Sequence, residues 1–365
     1  MLDGRSVFIT GHTGFKGGWL SLWLADRGAA VHGYATPAPT RPSFFEACGL
    51  GPRLASSTIA DIRDQAALGA ALEACRPDVI FHLAAQPLVR HGYADPLETF
   101  DTNVIGTARV LDAARRVGTV RAVVVVTTDK CYHNREWEWS YRERDRLGGR
   151  DPYSASKACA ELVTQAYRHS FLDPAGIAVA TARAGNVIGG GDWAADRLVP
   201  DMLAAFDGGR SPVIRSPDAV RPWQHVLEPL SGYLLLAERL LESGTACAGA
   251  WNFGPEEADM RSVGWIADRL CRHVAGASWR RDAAAAAAAG GAAATWKESL
   301  TLKLDSSKAR HRLGWRPRWS LDEALRETLR WHHAWRRNED MAAVSLAQIA
   351  AFERQERTCD LSEAA

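Results

Sequence analysis

Residues 6–18, SVFITGHTGFKGG, leave this chain few ways to fold. A short apolar run, Val7-Phe8-Ile9, breaks into Gly11-x-x-Gly14-x-x-Gly17. An apolar helical pattern then follows in Trp19, Leu20, Leu22, Trp23 and Leu24. That order predicts a strand, a tight turn and a helix. Glycine tolerates positive φ and lets another group approach the backbone closely. The helix points its free N–H groups and positive dipole end at the turn, which suits a pyrophosphate. Gly11, Gly14 and Gly17, with His12, Phe15 and Lys16 between them, are therefore candidate dinucleotide-binding residues. A glycine triplet alone does not specify a dinucleotide, so the support must come from the rest of the chain.

The first half alternates strand-like and helical segments. Residues 7–10, 30–34, part of 54–61, 78–83, 122–127 and 177–182 read as strands. Residues 17–27, 64–75, 96–116 and 151 to about 170 read as helices. Near-continuous apolar strands alternating with helices imply a parallel sheet covered on both faces. Right-handed crossovers make it a doubly wound, Rossmann-type α/β sheet. Ligands of such sheets bind beyond the carboxyl ends of the strands, where Gly11, residues 82–86, 127–130 and 183–186 all fall. Beyond Gly185 the pattern changes. We expect a cofactor domain over 1–185, a smaller C-terminal α/β substrate domain over 186–340, and a tail over 341–365. Part of 221–254 is expected to return to the main sheet through the strand-like 250–253. The alanine-rich run 283–294 reads as a solvated surface segment, and the tail as an amphipathic helix or a frayed end.

With 365 residues the chain can form one large or two ordinary domains. Its 47% hydrophobic and 24% charged residues are those of a soluble globular protein. Lysine and arginine number 44 against 43 acidic residues, a net charge of +1. No global field therefore favours nucleic acid or a membrane surface. Seven cysteines are scattered without a CxxC pair, which predicts neither a zinc site nor a disulfide framework. Reduced thiols and a cytoplasmic location are the expectation. No signal peptide is read, because the first predicted strand follows Met1 closely. No apolar run approaches the ~20 residues of a membrane span. His82 and His91 belong to no metal-ligand cluster and read as structural or cofactor-adjacent.

Tyr153-Ser-Ala-Ser-Lys157 carries the most chemistry. Residues four apart on a helix share a face. A phenol titrates near ~10, and a neighbouring ammonium and a bound nicotinamide cation both favour the phenolate. Tyr153 is thus a candidate general base near neutral pH, and Lys157 a hydrogen-bond partner for the nicotinamide ribose. The pair opens a predicted helix after the turn-rich 148–152. It also follows the glycine turn and a strand ending in Thr127-Thr128.

This combination resembles the extended short-chain dehydrogenase/reductase superfamily. GxxGxxG, HLAAQ (82–86), TNVIGT (102–107), a strand ending in TTD, and YxxxK occur in that superfamily's order, covering the chain to about Leu329. The resemblance implies that Thr128 hydrogen-bonds the substrate hydroxyl being oxidised. It gives Asn103 a structural and cofactor-organising role. It places Asp61 and Ile62 at the adenine and Leu83, Ala84, Ala85 and Gln86 along the cofactor, with Gln86 also reaching substrate. It further implies pairing through a helical bundle that includes the Tyr-Lys helix, giving a homodimer or homotetramer.

Five longer strings are similar to the CDP-glucose 4,6-dehydratase family: GHTGFKGGWL (11–20), AAQPLVRHGYADP (84–96), TTDKCYHNREWEW (127–139), GNVIGGGDWAADRLVPD (185–201) and RPWQHVLEPLSGYLLLAE (221–238). That resemblance implies CDP-glucose as substrate and NAD as cofactor. It implies oxidation at C4, loss of water across C5 and C6, and hydride return to C6. Most nucleotide-sugar 4,6-dehydratases carry Asp-Glu where this chain has Asp129-Lys130. Lysine at the second position agrees with the CDP-glucose enzymes. Asp129 is then the acid at the C6 oxygen. Lys130 either removes the C5 proton, which requires a depressed pKa, or stabilises the enolate.

Two features set this chain apart. Strand two ends in His32-Gly33-Tyr34-Ala35-Thr36, without the acidic residue that holds the adenosine ribose; NAD over NADP therefore rests on the resemblance. His12 and Lys16 are bulky and either contact or crowd the pyrophosphate, so loose NAD binding is expected. For the nucleotide half of the substrate the candidates are Arg183, Asn186, Arg197, Arg215, Arg221 and His225, because arginine forks suit a diphosphate. Trp193 and Trp223 either stack on the base or pack between domains, with packing preferred. The rival readings are an epimerase or decarboxylase on the same scaffold, a dehydratase for another nucleotide, and a non-catalytic NAD-sensing protein.

Overall fold

The computed structural model describes residues 2–282 and 299–362, with side chains to residue 355. The alanine-rich run 283–294 lies outside the described residues. Twelve strands are present among them: β1 (Ser6–Thr10), β2 (Ala30–Ala35), β3 (Ser56–Ile59), β4 (Val79–His82), β5 (Ala122–Val126), β6 (Ala178–Ala184), β7 (Asn186–Ile188), β8 (Val213–Ile214), β9 (Val220–His225), β10 (Gly249–Phe253), β11 (Met260–Ser262) and β12 (Arg280–Arg281). Seven form one parallel sheet in the order β10-β6-β5-β4-β1-β2-β3. The order reverses beside β1, so the crevice lies at the end of that strand.

The sheet is buried on both faces. Val7, Ile9, Val79, Phe81, Val124 and Val126 point to one core; Phe8, Ile80, Val123 and Val125 point to the other. This is the two-residue alternation of a strand, concealed in the sequence because both faces are apolar. α1 (Phe15–Asp26) covers the first face, and α2 (Gln65–Cys75), α3 (Gly106–Val117) and α4 (Pro152–Tyr167) cover the second. α5 (Leu198–Asp207), α6 (Leu227–Ser243) and α7 (Val263–His273) follow. α6 returns to the first face and leads into β10, the predicted extra strand beside β6. β9 does not join that sheet: it forms a small second sheet, β11-β9-β7.

One local reading is corrected, and one that left two alternatives is decided. Residues 96–116 are not one helix but a short helix (Pro96–Phe100), a wide π-type turn (Asp101–Ile105) and α3. The wide turn carries buried Asn103 at the point where its amide leaves the helix to bond a loop and α4. The C-terminal segment is docked rather than frayed. α8 (Leu321–Arg336) and α9 (Met341–Ser362) pack on each other, and α9 packs on α1. Phe352 is fully buried, edge-on to Trp23 and Trp319 at 5.9 and 5.1 Å. Trp23 Nε1 donates to Glu353, which also pairs with Arg27.

Candidate active site

The glycine turn is a cradle in which Gly11 and Gly17 leave no room for a side chain. Gly11 has φ +81°, and a Cβ there would lie 2.8 Å from the Ala84 nitrogen. At Gly17 a Cβ would lie 2.0 Å from the Gly11 carbonyl oxygen. α1 starts from Gly14 with no side-chain cap and no acidic residue in its first turn, so its first N–H groups face the cleft. A pyrophosphate fits that arrangement. The cleft has a volume of about 1200 Å³ and runs from this turn to the small sheet.

Phe15 and Lys16 line the cleft. Burial lowers Lys16 to about 7, with further pressure from Arg197 and Lys157. His12 behaves differently from the expectation. Its ring lies in the interior beneath Gly33, with Nε2 2.8 Å from Ser57 Oγ and Nδ1 without a hydrogen-bond partner. Burial lowers it to about 4. A neutral ring held behind the turn neither contacts nor crowds a pyrophosphate; only its backbone belongs to the cradle. At the end of β2 the cleft is lined by Ala35 and Thr36. Asp61 and Ile62 line it next to them, but Arg63 grips the Asp61 carboxylate at 2.9 and 2.7 Å.

The loop after β4 is fixed from within. Leu83 and Ala84 donate their N–H groups to Thr10 Oγ1, which itself bonds His82 Nδ1 at 2.7 Å. His82 is thereby structural; His91 bonds Glu98. Asn103 accepts from the Gln86 N–H and donates to Gln86 O and Ser156 Oγ. It thus orders the loop carrying Leu83, Ala84, Ala85 and Gln86, all of which line the cleft, without lining it itself. The Gln86 amide is engaged with Thr99 and the Leu88 N–H.

β5 delivers Thr127, Thr128, Asp129 and Lys130 to the cleft. Thr128 caps the short turn Asp129–Cys131 and donates to Asp129 Oδ1 at 3.0 Å. Asp129 is buried, and its Oδ2 has no hydrogen-bond partner. Burial pushes its carboxyl up, against the pull of Lys130, Thr128, Arg221 and Lys16. Asp151 caps α4 through the Ser154 N–H, and this places Tyr153 and Lys157 on the cleft-facing side. Lys157 Nζ donates to Val126 O at 3.2 Å. Burial lowers Lys157 to about 8, opposed by Glu161. Tyr153 does not have the depressed value expected. Burial pushes it up to about 12, although Thr128 and Arg197 pull it down. The protein's own groups do not supply enough positive charge to offset the lost hydration of a phenolate.

Of the six candidates for the nucleotide half, four line the cleft: Asn186, Arg197, Arg215 and Arg221. Arg197 bonds Asp192 at 3.4 Å and Arg215 pairs with Asp196 at 3.6 Å. Arg221 is buried and donates to the carbonyls of Val220, Ser299 and Leu300. The structure removes two candidates. Arg183 turns into the core, where Nε and Nη2 of its guanidinium hold Glu161 and Nη1 donates to Tyr132 and the Glu143 carbonyl. His225 is sealed beside Trp19 and Trp319, and burial lowers it to about 3. Neither could reach a diphosphate. Trp223 is buried and donates to Arg261 O; Trp193 packs on Trp331 and Trp335 at the cleft edge. Arg63, Arg90 and Asp196 also line the cleft, with Arg90 pairing to Asp196 at 2.6 Å. Arg90 and Asp196 lie within the strings 84–96 and 185–201, but nothing in their spacing singles out any of the three as a site residue. Among the described residues no cluster of histidine, cysteine and carboxylate side chains is arranged to hold a metal.

A doubly wound parallel sheet with a glycine cradle at its switch point, a threonine at the end of β5 and a Tyr-x-x-x-Lys helix beside it defines an extended short-chain dehydrogenase/reductase. The chain belongs within it to the nucleotide-sugar 4,6-dehydratase family, whose model, described as GDP-mannose 4,6 dehydratase, matches residues 8–328. It is 50% identical to a CDP-glucose 4,6-dehydratase of Salmonella typhimurium over 96% of both chains. Solved structures with the same fold include MoeE5 in complex with UDP-glucose and NAD, with a TM-score of 0.75 and 22% identity over 90% of this chain and 99% of that one. They also include a dTDP-glucose 4,6-dehydratase of Bacillus anthracis in complex with NAD, with a TM-score of 0.73 and 19% identity over 93% of this chain and 100% of that one.

Proposed function

We propose that this chain is an NAD-dependent CDP-glucose 4,6-dehydratase, a hydro-lyase converting CDP-D-glucose to CDP-4-keto-6-deoxy-D-glucose and water. The observation that carries the reading is Asp129. A buried carboxyl, pushed toward its protonated form and with one oxygen unpartnered, sits one residue from Thr128 and beside the Tyr153–Lys157 pair. An enzyme that only oxidises and re-reduces C4 needs no such acid; elimination of a hydroxyl does. The 50% identity over nearly the whole chain supports the CDP-glucose assignment.

NAD, when bound, would supply the acceptor and donor of the hydride that leaves C4 and returns to C6; the Gly11–Gly17 cradle, with Lys16 beside it, would hold its pyrophosphate. Thr128 and Tyr153 hold the C4 hydroxyl, and Tyr153 takes its proton. Lys157, and the positive nicotinamide ring that bound NAD would bring, would favour the phenolate that burial alone opposes. The C4 ketone acidifies C5. Lys130, on the turn beside Asp129, removes the C5 proton or stabilises the enolate as that proton leaves, Asp129 gives its proton to the departing C6 oxygen, which leaves as water, and a proton returns to C5 as hydride adds to C6. Asn186, Arg197, Arg215 and Arg221 hold the nucleotide and diphosphate, exchanging Asp192 and Asp196 for phosphate oxygens at Arg197 and Arg215. In this reading residues 1–185 with the return through β10 bind the cofactor, and much of the remainder binds the sugar nucleotide.

A homodimer or homotetramer formed across the α3–α4 face accords with half-exposed Ile105 just before α3, Leu162 on α4 and Phe171 just beyond α4. A cytoplasmic location accords with unpaired Cys48, Cys75, Cys131, Cys159, Cys247 and Cys271. The test is incubation with catalytic NAD and CDP-glucose, followed by mass spectrometry for loss of one water and formation of a 4-keto-6-deoxy product. Turnover of a dTDP, GDP or UDP sugar in place of CDP-glucose refutes the specificity, and a C4 epimer as product refutes the dehydration. Light scattering on the purified protein checks the oligomer.

A further inference from the structure

Glu161 lies one helical turn beyond Lys157 and two beyond Tyr153, on the same face of α4. It is 4% exposed, and the four hydrogen bonds it accepts come from the end of β5 and from β6. Oε1 accepts from Thr127 Oγ1 at 2.5 Å and from Arg183 Nε at 2.9 Å. Oε2 accepts from Thr181 Oγ1 and Arg183 Nη2, both at 2.7 Å. Arg183 continues to Tyr132, which bonds Asn252 of β10. One carboxylate therefore joins α4 to the end of β5, to β6 and to the turn that follows Asp129 and Lys130.

A buried Arg–Glu pair is a poor source of net stability, because desolvation consumes most of the attraction. What this pair supplies is geometry at the catalytic end of the sheet. Thr127 immediately precedes Thr128, whose hydroxyl bonds Asp129. If the Thr127 bond is lost, β5 and α4 can slip relative to each other, and displacements of about 1 Å at a reacting centre cost on the order of 100-fold in rate. Resting on the functional reading above, we propose that Glu161 is a positioning residue that locks the Tyr153–Lys157 helix in register with the Thr128–Asp129 strand end.

The charge of Glu161 has a second consequence. Burial would raise its own carboxyl, but Arg183 and the two threonines hold it below the ordinary range, so it is an anion. It is the principal negative charge acting on Lys157. The other titratable groups facing Lys157 are Cys131 from the turn after β5, Lys16 from α1 and His82 from β4. The cysteine is pushed up by burial and the histidine down; both are neutral near pH 7 and cannot replace the carboxylate.

The experiment uses the full chain, with E161Q and T127V beside wild type. E161Q keeps the volume and removes the charge; T127V cuts only the link to β5 and leaves the Glu161–Arg183 pair to hold the fold. Both are expected to lower kcat on CDP-glucose by about 10- to 100-fold, the rate equivalent of one charge-assisted hydrogen bond. The KM and the NAD affinity are expected to stay within about twofold. In 15N-lysine-labelled protein, the Lys157 titration is expected to move to lower pH in E161Q and to remain in place in T127V. A wild-type kcat in either folded variant, or an unmoved Lys157 midpoint in E161Q, overturns the proposal. If E161Q does not fold, the kcat and KM of T127V decide it. If wild type itself turns over no CDP-glucose, the functional reading has failed, and the Lys157 titration in E161Q still decides the role of Glu161.

Discussion

NAD affinity should weaken steeply as pH rises, because of Lys16. Burial and the positive charges of Arg197 and Lys157 lower this lysine from 10.5 to about 7. The fall corresponds to at most about 5 kcal/mol against the ammonium, a ceiling because the side chain is only partly buried. A pyrophosphate on the adjacent cradle brings two negative charges. One such charge at about 4 Å returns roughly 4 kcal/mol at the effective dielectric of a protein site, so two offset the desolvation and Lys16 becomes charged in the complex. Binding then takes up a proton wherever Lys16 is otherwise neutral, above about pH 7. Affinity is flat below that point and falls about tenfold per pH unit above it, roughly 100-fold by about pH 9. Calorimetry in two buffers of different ionisation enthalpy counts the protons directly, with close to one per NAD expected at the alkaline end. Lys16→Met should bind NAD with little pH dependence, and any residual slope reports Lys157. A dissociation constant that does not change across this range, or one that keeps its slope in Lys16→Met, refutes the argument.

Asp129→Asn retains the contact with Thr128 but has no proton to give. Elimination should slow by about 10²- to 10⁴-fold while C4 oxidation persists, so reduced nicotinamide accumulates in single-turnover absorbance traces; equal loss of every step contradicts the role. Gly17→Ala places a Cβ 2.0 Å from a backbone oxygen that no rotamer change can move. NAD binding should fall by about 100-fold or more, and near-normal binding on calorimetry would contradict the cradle. Phe352→Ala empties a fully buried site against Trp23 and Trp319 and should cost about 3–5 kcal/mol in urea unfolding; a loss under about 1 kcal/mol would mean that α9 is not docked on α1 in solution.

The shared helix face of Tyr153 and Lys157 followed from their spacing, whereas Thr128 and Asp129 were reached through the family resemblance; the fold brings all four to the cleft. The correct reach of the arginines was not legible in the sequence. Arg183 lies just before one of the family-like strings and Arg221 opens another, and both were candidates for the diphosphate, yet one holds Glu161 in the core and the other lines the cleft. His12 stands inside the glycine turn but points behind it, because β2 presents a glycine there and leaves room for the ring.

The glycine turn that opens the chain therefore came from sequence alone, together with the parallel sheet and the Tyr-x-x-x-Lys face. Periods of 2 and 3.6 residues and the positive φ of glycine are local properties of the chain. Tertiary structure decided the burial that shifts Lys16 down and Tyr153 up, the partners of Arg183 and Glu161, and the docking of α9 on α1. Each of these depends on which distant groups exclude water from a side chain or meet it with charge, and desolvation and partnering are properties of the packed molecule.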